Sequence, residues 1–122
     1  MNVFLVEDSP LVLERLTGLL DAIPGVRVVG QASGVREAID GIFYARPEIV
    51  VLDLKLGQGS GFDVLSEVHG REPGIDFYML SNFASEPYRR HAERLGAVGF
   101  FDKTTEFERV RDAIAQRAIT RH

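Results

Sequence analysis

Five side chains carry the chemistry that this chain could concentrate in one place: Glu7, Asp8, Asp53, Ser81 and Lys103. Each stands at or just beyond the end of a short apolar run. Glu7 and Asp8 follow Val3–Val6, Asp53 stands where the run from Ile49 gives out, Ser81 follows Ile75–Leu80, and Lys103 comes after Val98–Phe101. Three carboxylates gathered at one spot repel one another unless a cation lies between them, and an all-oxygen set favours a hard ion such as magnesium. Magnesium retains waters and accepts phosphate oxygens, so such a cluster is expected to receive a phosphoryl group. Lys103 would hold a second oxygen of that group and the Ser81 hydroxyl a third. Asp53 is the expected nucleophile because it stands at the end of the run that reads as the central strand. Glu7 and Asp8, adjacent in sequence, are expected as metal ligands.

Taken singly, each residue has a plainer explanation. An acidic pair ahead of a helix stabilises it by about 0.3–1 kcal/mol through the helix dipole. An Asp after a strand commonly starts a turn, a Ser caps a loop, and a Lys is usually solvated. Only their joint recurrence at strand ends favours a site, and it requires that the strands deliver those ends to one edge.

The surrounding pattern supplies such strands. Five apolar runs alternate with five amphipathic segments. Within the stretch Ile49–Leu56, the unbroken apolar run that ends at Asp53 reads as a strand buried on both faces, and Val26–Ala32 as a more exposed edge strand. Ser9-Pro10 opens a first helix, with Leu13, Leu16, Leu20 and Ile23 at helical spacing up to Pro24-Gly25. Ser33 is expected to cap a second helix, with Val35, Ile39, Ile42 and Phe43 inward, ended by Pro47. Gly57–Gly61 reads as a flexible connection that leaves the phosphoryl group access, followed by a third helix over Phe62–His69 stopped at Gly70. A fourth helix spans Glu86–Leu95 with Gly96 as its cap. Thr105 with Glu108 matches a capping box for the last helix, whose inward face is Phe107, Val110, Ile114 and Ala118. Strands alternating with helices imply a parallel sheet through right-handed crossovers, and ligands of such sheets gather at the carboxyl ends of the strands. The expected fold is therefore α/β: a doubly wound five-stranded parallel sheet, order 2-1-3-4-5, flanked by five helices.

Length and composition agree with one domain over residues 1–122. The absence of cysteine removes thiolate metal sites, thiol nucleophiles and disulfides, and suits a reducing, cytoplasmic setting. No signal peptide or membrane-spanning stretch is visible. A formal net charge of -4 leaves no basic footprint for direct nucleic-acid contact. His69, His91 and His122 show no metal-ligand spacing and read as surface residues without a role. The Gly57–Gly61 segment lacks the lysine of a phosphate-binding P-loop.

The motifs LVEDSP, VVLDLKL, YMLSNF and GFFDKTT, in this order and context, resemble the receiver domain of two-component response regulators over essentially the whole chain. The resemblance implies a flavodoxin-like fold and transfer of phosphate to Asp53 from a histidine kinase or a histidine phosphotransfer protein. It implies magnesium held by Asp8, Asp53 and the Lys55 carbonyl, with Glu7 acting through water, and phosphoryl oxygens bound by Ser81 and Lys103. Phe100 takes the place of the family's switch aromatic, without the hydroxyl of the frequent Tyr. Further implications are a downstream protein target or an output domain outside this chain, and dimerisation through the fourth helix, fifth strand and fifth helix. The glycine-containing loop after Asp53 resembles that of regulators with a helix-turn-helix output domain.

Two positions depart from the family pattern. Thr104 stands where a proline with a cis peptide is common, and a non-proline cis bond costs about 2.5–4 kcal/mol. Asn82 stands where a smaller Ala is frequent, which predicts narrower access. Three other functions fit less well. A magnesium-dependent phosphohydrolase with an aspartyl nucleophile calls for a second carboxylate at Lys55. A flavodoxin-like electron carrier needs a hydroxyl- and glycine-rich loop where Glu7-Asp8-Ser9-Pro10 stands, and a phosphorylation-independent adaptor needs no complete site.

Overall fold

A computed structural model describes residues 1–120. Its main sheet is five-stranded and parallel: β1 (Asn2–Val6), β2 (Arg27–Ala32), β3 (Ile49–Leu52), β6 (Asp76–Ser81) and β7 (Gly99–Asp102). They lie in the order β2-β1-β3-β6-β7. With the two short strands of a hairpin set aside, this is the expected 2-1-3-4-5. The hairpin pairs β4 (Lys55–Leu56) antiparallel with β5 (Gly59–Ser60).

The helices are α1 (Pro10–Asp21), α2 (Val35–Ala45), α3 (Gly61–Arg71), α4 (Glu86–Arg94) and α5 (Phe107–Thr120). Alternate residues of each central strand enter opposite cores, as the two-residue period of a strand demands. Val50, Leu52, Phe77 and Met79 join one core with α2, α3 and Ala92 of α4. Ile49, Val51, Tyr78 and Leu80 join the other with α1 and α5. All four residues of β3 are buried, which explains why its sequence does not alternate.

Several local expectations require correction. Gly57–Gly61 is no featureless connection: Lys55 pairs with Ser60 and Leu56 with Gly59. The Gly57 φ of 60° supplies the left-handed turn. Ser60 caps α3 by accepting the Phe62 N–H at 3.1 Å. At Gly61 a Cβ would lie 2.1 Å from the Asp53 carbonyl oxygen, so only glycine lets the hairpin close against the acidic strand end. Gly70 does not stop α3, which continues to Arg71. The ladder holds through the Glu72 N–H, which donates to Val68 O at 2.7 Å, and an internal glycine costs only about 1 kcal/mol.

Ser33 is not the cap of α2 either. Gly34 occupies that position, while the Ser33 N–H donates to Glu37 Oε1 at 2.7 Å. The Thr105–Glu108 box is replaced one turn earlier. Asp102 Oδ1 accepts the Thr104 N–H at 2.8 Å, and Glu106 Oε1 accepts the Asp102 N–H at 2.9 Å. These carboxylates capture the turn's donors before Thr105 can act. The described residues contain no cis peptide bond, so Lys103–Thr104 is trans. No helix among them is long and apolar enough to cross a membrane.

Candidate functional site

The topology puts the carboxyl ends of β1, β3, β6 and β7 on one edge, and the acidic residues converge there. One oxygen each of Glu7, Asp8 and Asp53 lie within 4.8 Å of one another. Glu7 and Asp53 are buried, at 2% and 7% exposure, whereas Asp8 is exposed. Lys103 reaches in from the end of β7 and its Nζ donates to Glu7 Oε1 at 2.6 Å and to Asp53 Oδ2 at 2.7 Å. Glu7 Oε2 accepts the Ser9 N–H at 3.0 Å, and Asp8 Oδ2 accepts the Gly57 N–H at 3.1 Å. The hairpin therefore orients Asp8 as well as closing against Asp53.

A cavity of about 300 Å³ opens over this group, lined also by Val12, Lys55, Asn82 and Phe83. Asn82 Oδ1 accepts the Thr104 hydroxyl at 3.3 Å, tying together two loops at the cavity's border. That hydrogen bond engages both residues that depart from the family pattern.

Burial raises the Glu7 carboxyl above its ordinary pKa, opposed by the hydrogen bonds from Lys103 and the Ser9 N–H and reinforced by the charge on Asp53. Burial also disfavours the Lys103 ammonium, yet its hydrogen bonds to Asp53 and Glu7 together prevail and raise its pKa. One cation thus serves two buried carboxylates, with a third nearby, and the cluster keeps an excess of negative charge. The donor set is entirely oxygen, which suits magnesium: Asp8 and Asp53 would hold it, with Glu7 close enough to act through a bound water. When bound, the ion would neutralise charge on an incoming phosphoryl group.

Ser81 and Phe100 stand apart from this cavity. Ser81 is fully buried at the end of β6, and its Oγ accepts the Phe83 N–H at 3.1 Å. Phe100 packs at the border of one core and lines a separate cleft between α4 and β7. The Lys55 side chain is exposed at the hairpin and lines the acidic cavity.

His69 and His91 need correction as surface residues. Both are half-buried, since His91 stacks edge-on against Phe62 at 4.5 Å and His69 Nδ1 is buried without a hydrogen-bond partner. His91 meets Phe62 of α3 and the His69 ring lies beside Gly96 just past α4, tertiary neighbours that spacing alone does not disclose. His122 lies outside the described residues.

Sequence reasoning missed Arg89. Its Nε donates to Ala84 O at 2.7 Å, its Nη1 to Phe100 O at 3.0 Å, and its Nη2 to Glu106 Oε1 at 3.0 Å. An arginine in a helix as polar as EPYRRHAER carries no signal of such placement.

The fold is shared with known proteins. Residues 3–115 match the family described as response regulator receiver domain. The DNA-binding transcriptional activator DevR/DosR of Mycobacterium tuberculosis is 35% identical over 103 residues, which cover 84% of this chain and 48% of that protein. A protein-glutamate methylesterase/protein-glutamine glutaminase of Carboxydothermus hydrogenoformans is 32% identical over 111 residues, 89% of this chain and 32% of its own length. The chain thus spans about half the length, or less, of these curated relatives. Among solved structures, a LuxR-family two-component response regulator from Aurantimonas superposes with a TM-score of 0.89 at 24% identity, covering 97% of this chain and 84% of that one. The response regulator domain of Thermotoga maritima CheB gives 0.86 at 24% identity, covering 98% and 93%. Such receiver domains occur in transcriptional regulators and in an enzyme alike, so membership assigns no catalytic output. With the family matched over most of the chain and the fold shared, this protein belongs to the response regulator receiver domain family.

Proposed function

We propose that this chain is a magnesium-dependent phosphoacceptor that takes a phosphoryl group on Asp53 from the phosphohistidine of a histidine kinase or histidine phosphotransfer protein. The observation that carries the reading is the convergence of Glu7, Asp8 and Asp53 within 4.8 Å, with Lys103 already seated on Asp53. An Asp53 oxygen forms the O–P bond as the donor's N–P bond breaks, and the released electron pair stays on the imidazole. Lys103 is placed to follow a phosphoryl oxygen. Ser81 reaches one once its Oγ, buried outside the cavity in this arrangement, turns into it. Incubation with a small acyl-phosphate donor and magnesium, read by intact mass, is expected to show a single phosphoryl adduct. No adduct would overturn the reading in favour of a phosphorylation-independent adaptor. Rapid release of inorganic phosphate with turnover would instead indicate a phosphohydrolase.

In this reading the chain is a switch without output chemistry of its own, cytoplasmic and acting on a protein target or an output domain outside residues 1–122. Direct nucleic-acid contact is not part of it, because the net charge of -4 opposes a phosphate backbone. Phosphorylation is expected to alter the face formed by α4, β7 and α5, which also serves as the proposed dimer surface. Amide exchange across residues 82–110 should change with a phosphate mimic, and sedimentation should report any association. Unchanged exchange there would refute the switch.

The lifetime of the adduct depends on water reaching the phosphorus in line with its bond to Asp53. Lys55 and Phe83 line the cavity. Phe83, 43% exposed and edge-on to Tyr88 at 5.9 Å, offers no hydrogen bond to orient that water. A charged Lys55 cannot accept a proton from it. Phe83→Glu and Lys55→Asn are therefore expected to speed autodephosphorylation by about tenfold, equivalent to about 1.4 kcal/mol in the barrier. Decay of both variants at the wild-type rate, with magnesium fixed, would show that these side chains do not control the water.

A further inference from the structure

Arg89 joins three segments: the loop after β6, strand β7 and the turn before α5. Through Nε it holds the Ala84 carbonyl, three residues beyond Ser81. Nη1 holds the Phe100 carbonyl on β7, and Nη2 holds Glu106 in the turn before α5. The guanidinium also faces the Phe100 ring, with Cζ 5.1 Å from the centroid. Glu106 is itself fixed, since its Oε1 accepts the Asp102 N–H and its Oε2 accepts from Arg109 Nη1 at 2.9 Å. These contacts matter because α4 has little apolar anchorage: of its residues only Ala92 is buried. The Arg89 side chain is 32% exposed and that of Glu106 21%, so the pair is more shielded than an ordinary surface ion pair.

Movement of the loop after Ser81 has to contend with this arrangement. The Ser81 hydroxyl is buried and lies outside the acidic cavity, so for it to meet a phosphoryl oxygen its Oγ has to move, which alters the hydrogen bond it accepts from the Phe83 N–H and with it the hold on the backbone of residues 82–84. The Ala84 carbonyl belongs to that moving segment, whereas Phe100 O and Glu106 belong to β7 and the turn beyond it. A planar guanidinium with fixed donor directions cannot keep all three partners when one shifts relative to the other two. Its bonds are charge-assisted, so breaking them opposes the movement.

We propose that Arg89 is a positioning residue that holds the chain in its unphosphorylated arrangement by clamping Ala84, Phe100 and Glu106 together. The inference rests on the phosphoacceptor reading of Asp53. Phosphorylation then acts against the clamp. By reciprocity of coupling, opening the clamp favours binding of a phosphoryl mimic at Asp53 even though Arg89 makes no contact with the acidic cluster.

The test uses the full chain and the variants Arg89→Ala, Arg89→Lys and Glu106→Gln, titrated with beryllofluoride at saturating magnesium. Arg89→Ala is expected to bind the mimic at least about fivefold more tightly than wild type. Arg89→Lys and Glu106→Gln should show smaller gains, because a lysine is a point charge that cannot reproduce the three directed bonds and the glutamine weakens only one. The affinity for magnesium alone should stay unchanged, which a general loosening of the acidic site would not allow. Without ligand, amide exchange should quicken at residues 83–85 and 100–102 in Arg89→Ala. Wild-type or weaker affinity for the mimic in both Arg89→Ala and Glu106→Gln overturns the clamp. Should Arg89→Ala not fold, Glu106→Gln and Arg89→Lys decide by the same criterion. If the wild type binds no mimic, the phosphoacceptor reading fails separately. The exchange comparison then decides the clamp, with equal exchange in wild type and variants overturning it.

Discussion

Asp53→Asn is expected to abolish the phosphoryl adduct and to remove most of the stabilisation that magnesium confers. The amide oxygen of Asn is a poor nucleophile and a neutral ligand, so the substitution deletes both the attacking group and one of the charges that hold the ion. In the wild type, magnesium at a hundred times its dissociation constant should raise unfolding stability by about 2.7 kcal/mol. Asp53→Asn and Asp8→Asn should each lose much of that increment, because each removes a carboxylate from the cluster of Glu7, Asp8 and Asp53. Without magnesium, Asp53→Asn should be no less stable than wild type. Its carbonyl oxygen can still accept from Lys103, while one of two buried like charges is gone. Intact-mass measurement with an acyl-phosphate donor and urea unfolding with and without magnesium check both halves. A stoichiometric adduct on the Asn variant would move the acceptor elsewhere.

Lys103→Met should destabilise the fold at neutral pH by about 3–5 kcal/mol, the usual cost of leaving a buried charge without its partner. The Lys103 side chain is 13% exposed, and those of Glu7 and Asp53 are 3% and 8% exposed. Removing the ammonium therefore leaves two carboxylates buried against each other. The pH dependence of the deficit follows from the directions of the shifts. In the wild type Glu7 is already raised by burial, and losing Lys103 raises it further. Protonation of Glu7 then relieves the repulsion, so the deficit of the variant should shrink as pH falls through the carboxylate range. The contribution of Lys103 has the opposite range: its raised pKa makes it fully present below the unfolded lysine value of about 10.4 and lost as pH rises through the higher folded value. Urea unfolding of both proteins at pH 5, 7 and 10 tests this pattern. Magnesium should recover part of the lost stability by supplying positive charge on the Asp8 and Asp53 side of the cluster. A variant as stable as wild type at neutral pH, with no pH trend, would show that the carboxylates find other compensation.

Glu106 carries a second pH signature, away from the acidic cavity. The Asp102 N–H and Arg89 hold its carboxyl below the usual carboxylate range, so its contribution is present above the unfolded glutamate pKa and is lost as pH falls through the folded value. Stability loss in moderate acid that is smaller in Glu106→Gln than in wild type would register it.

Much of this protein is legible in the sequence because two of its signals are local. The alternation of apolar runs with amphipathic segments follows from hydrogen-bonding and burial requirements that each segment meets by itself, and it leads directly to a parallel sheet. Polar residues at the ends of Val3–Val6, Ile49–Leu52, Ile75–Leu80 and Val98–Phe101 then fall on one edge by topology alone, which is why Glu7, Asp8, Asp53 and Lys103 could be named as partners before any distance was known. Other features depend on which of several donors and acceptors meet in space. Asp102 and Glu106 took the hydrogen bonds that Thr105 was expected to make. Hairpin pairing turned a glycine-rich connection into a support for Asp8 and Asp53. Arg89 became the link between Ala84, Phe100 and Glu106 because α4 packs beside β7, which brings Phe100 and Glu106 within reach of a side chain that also meets the nearby Ala84 carbonyl. Burial patterns and strand ends are properties of a segment. Hydrogen-bond partners of polar side chains are properties of the assembled chain, where only proximity decides among near-equal alternatives.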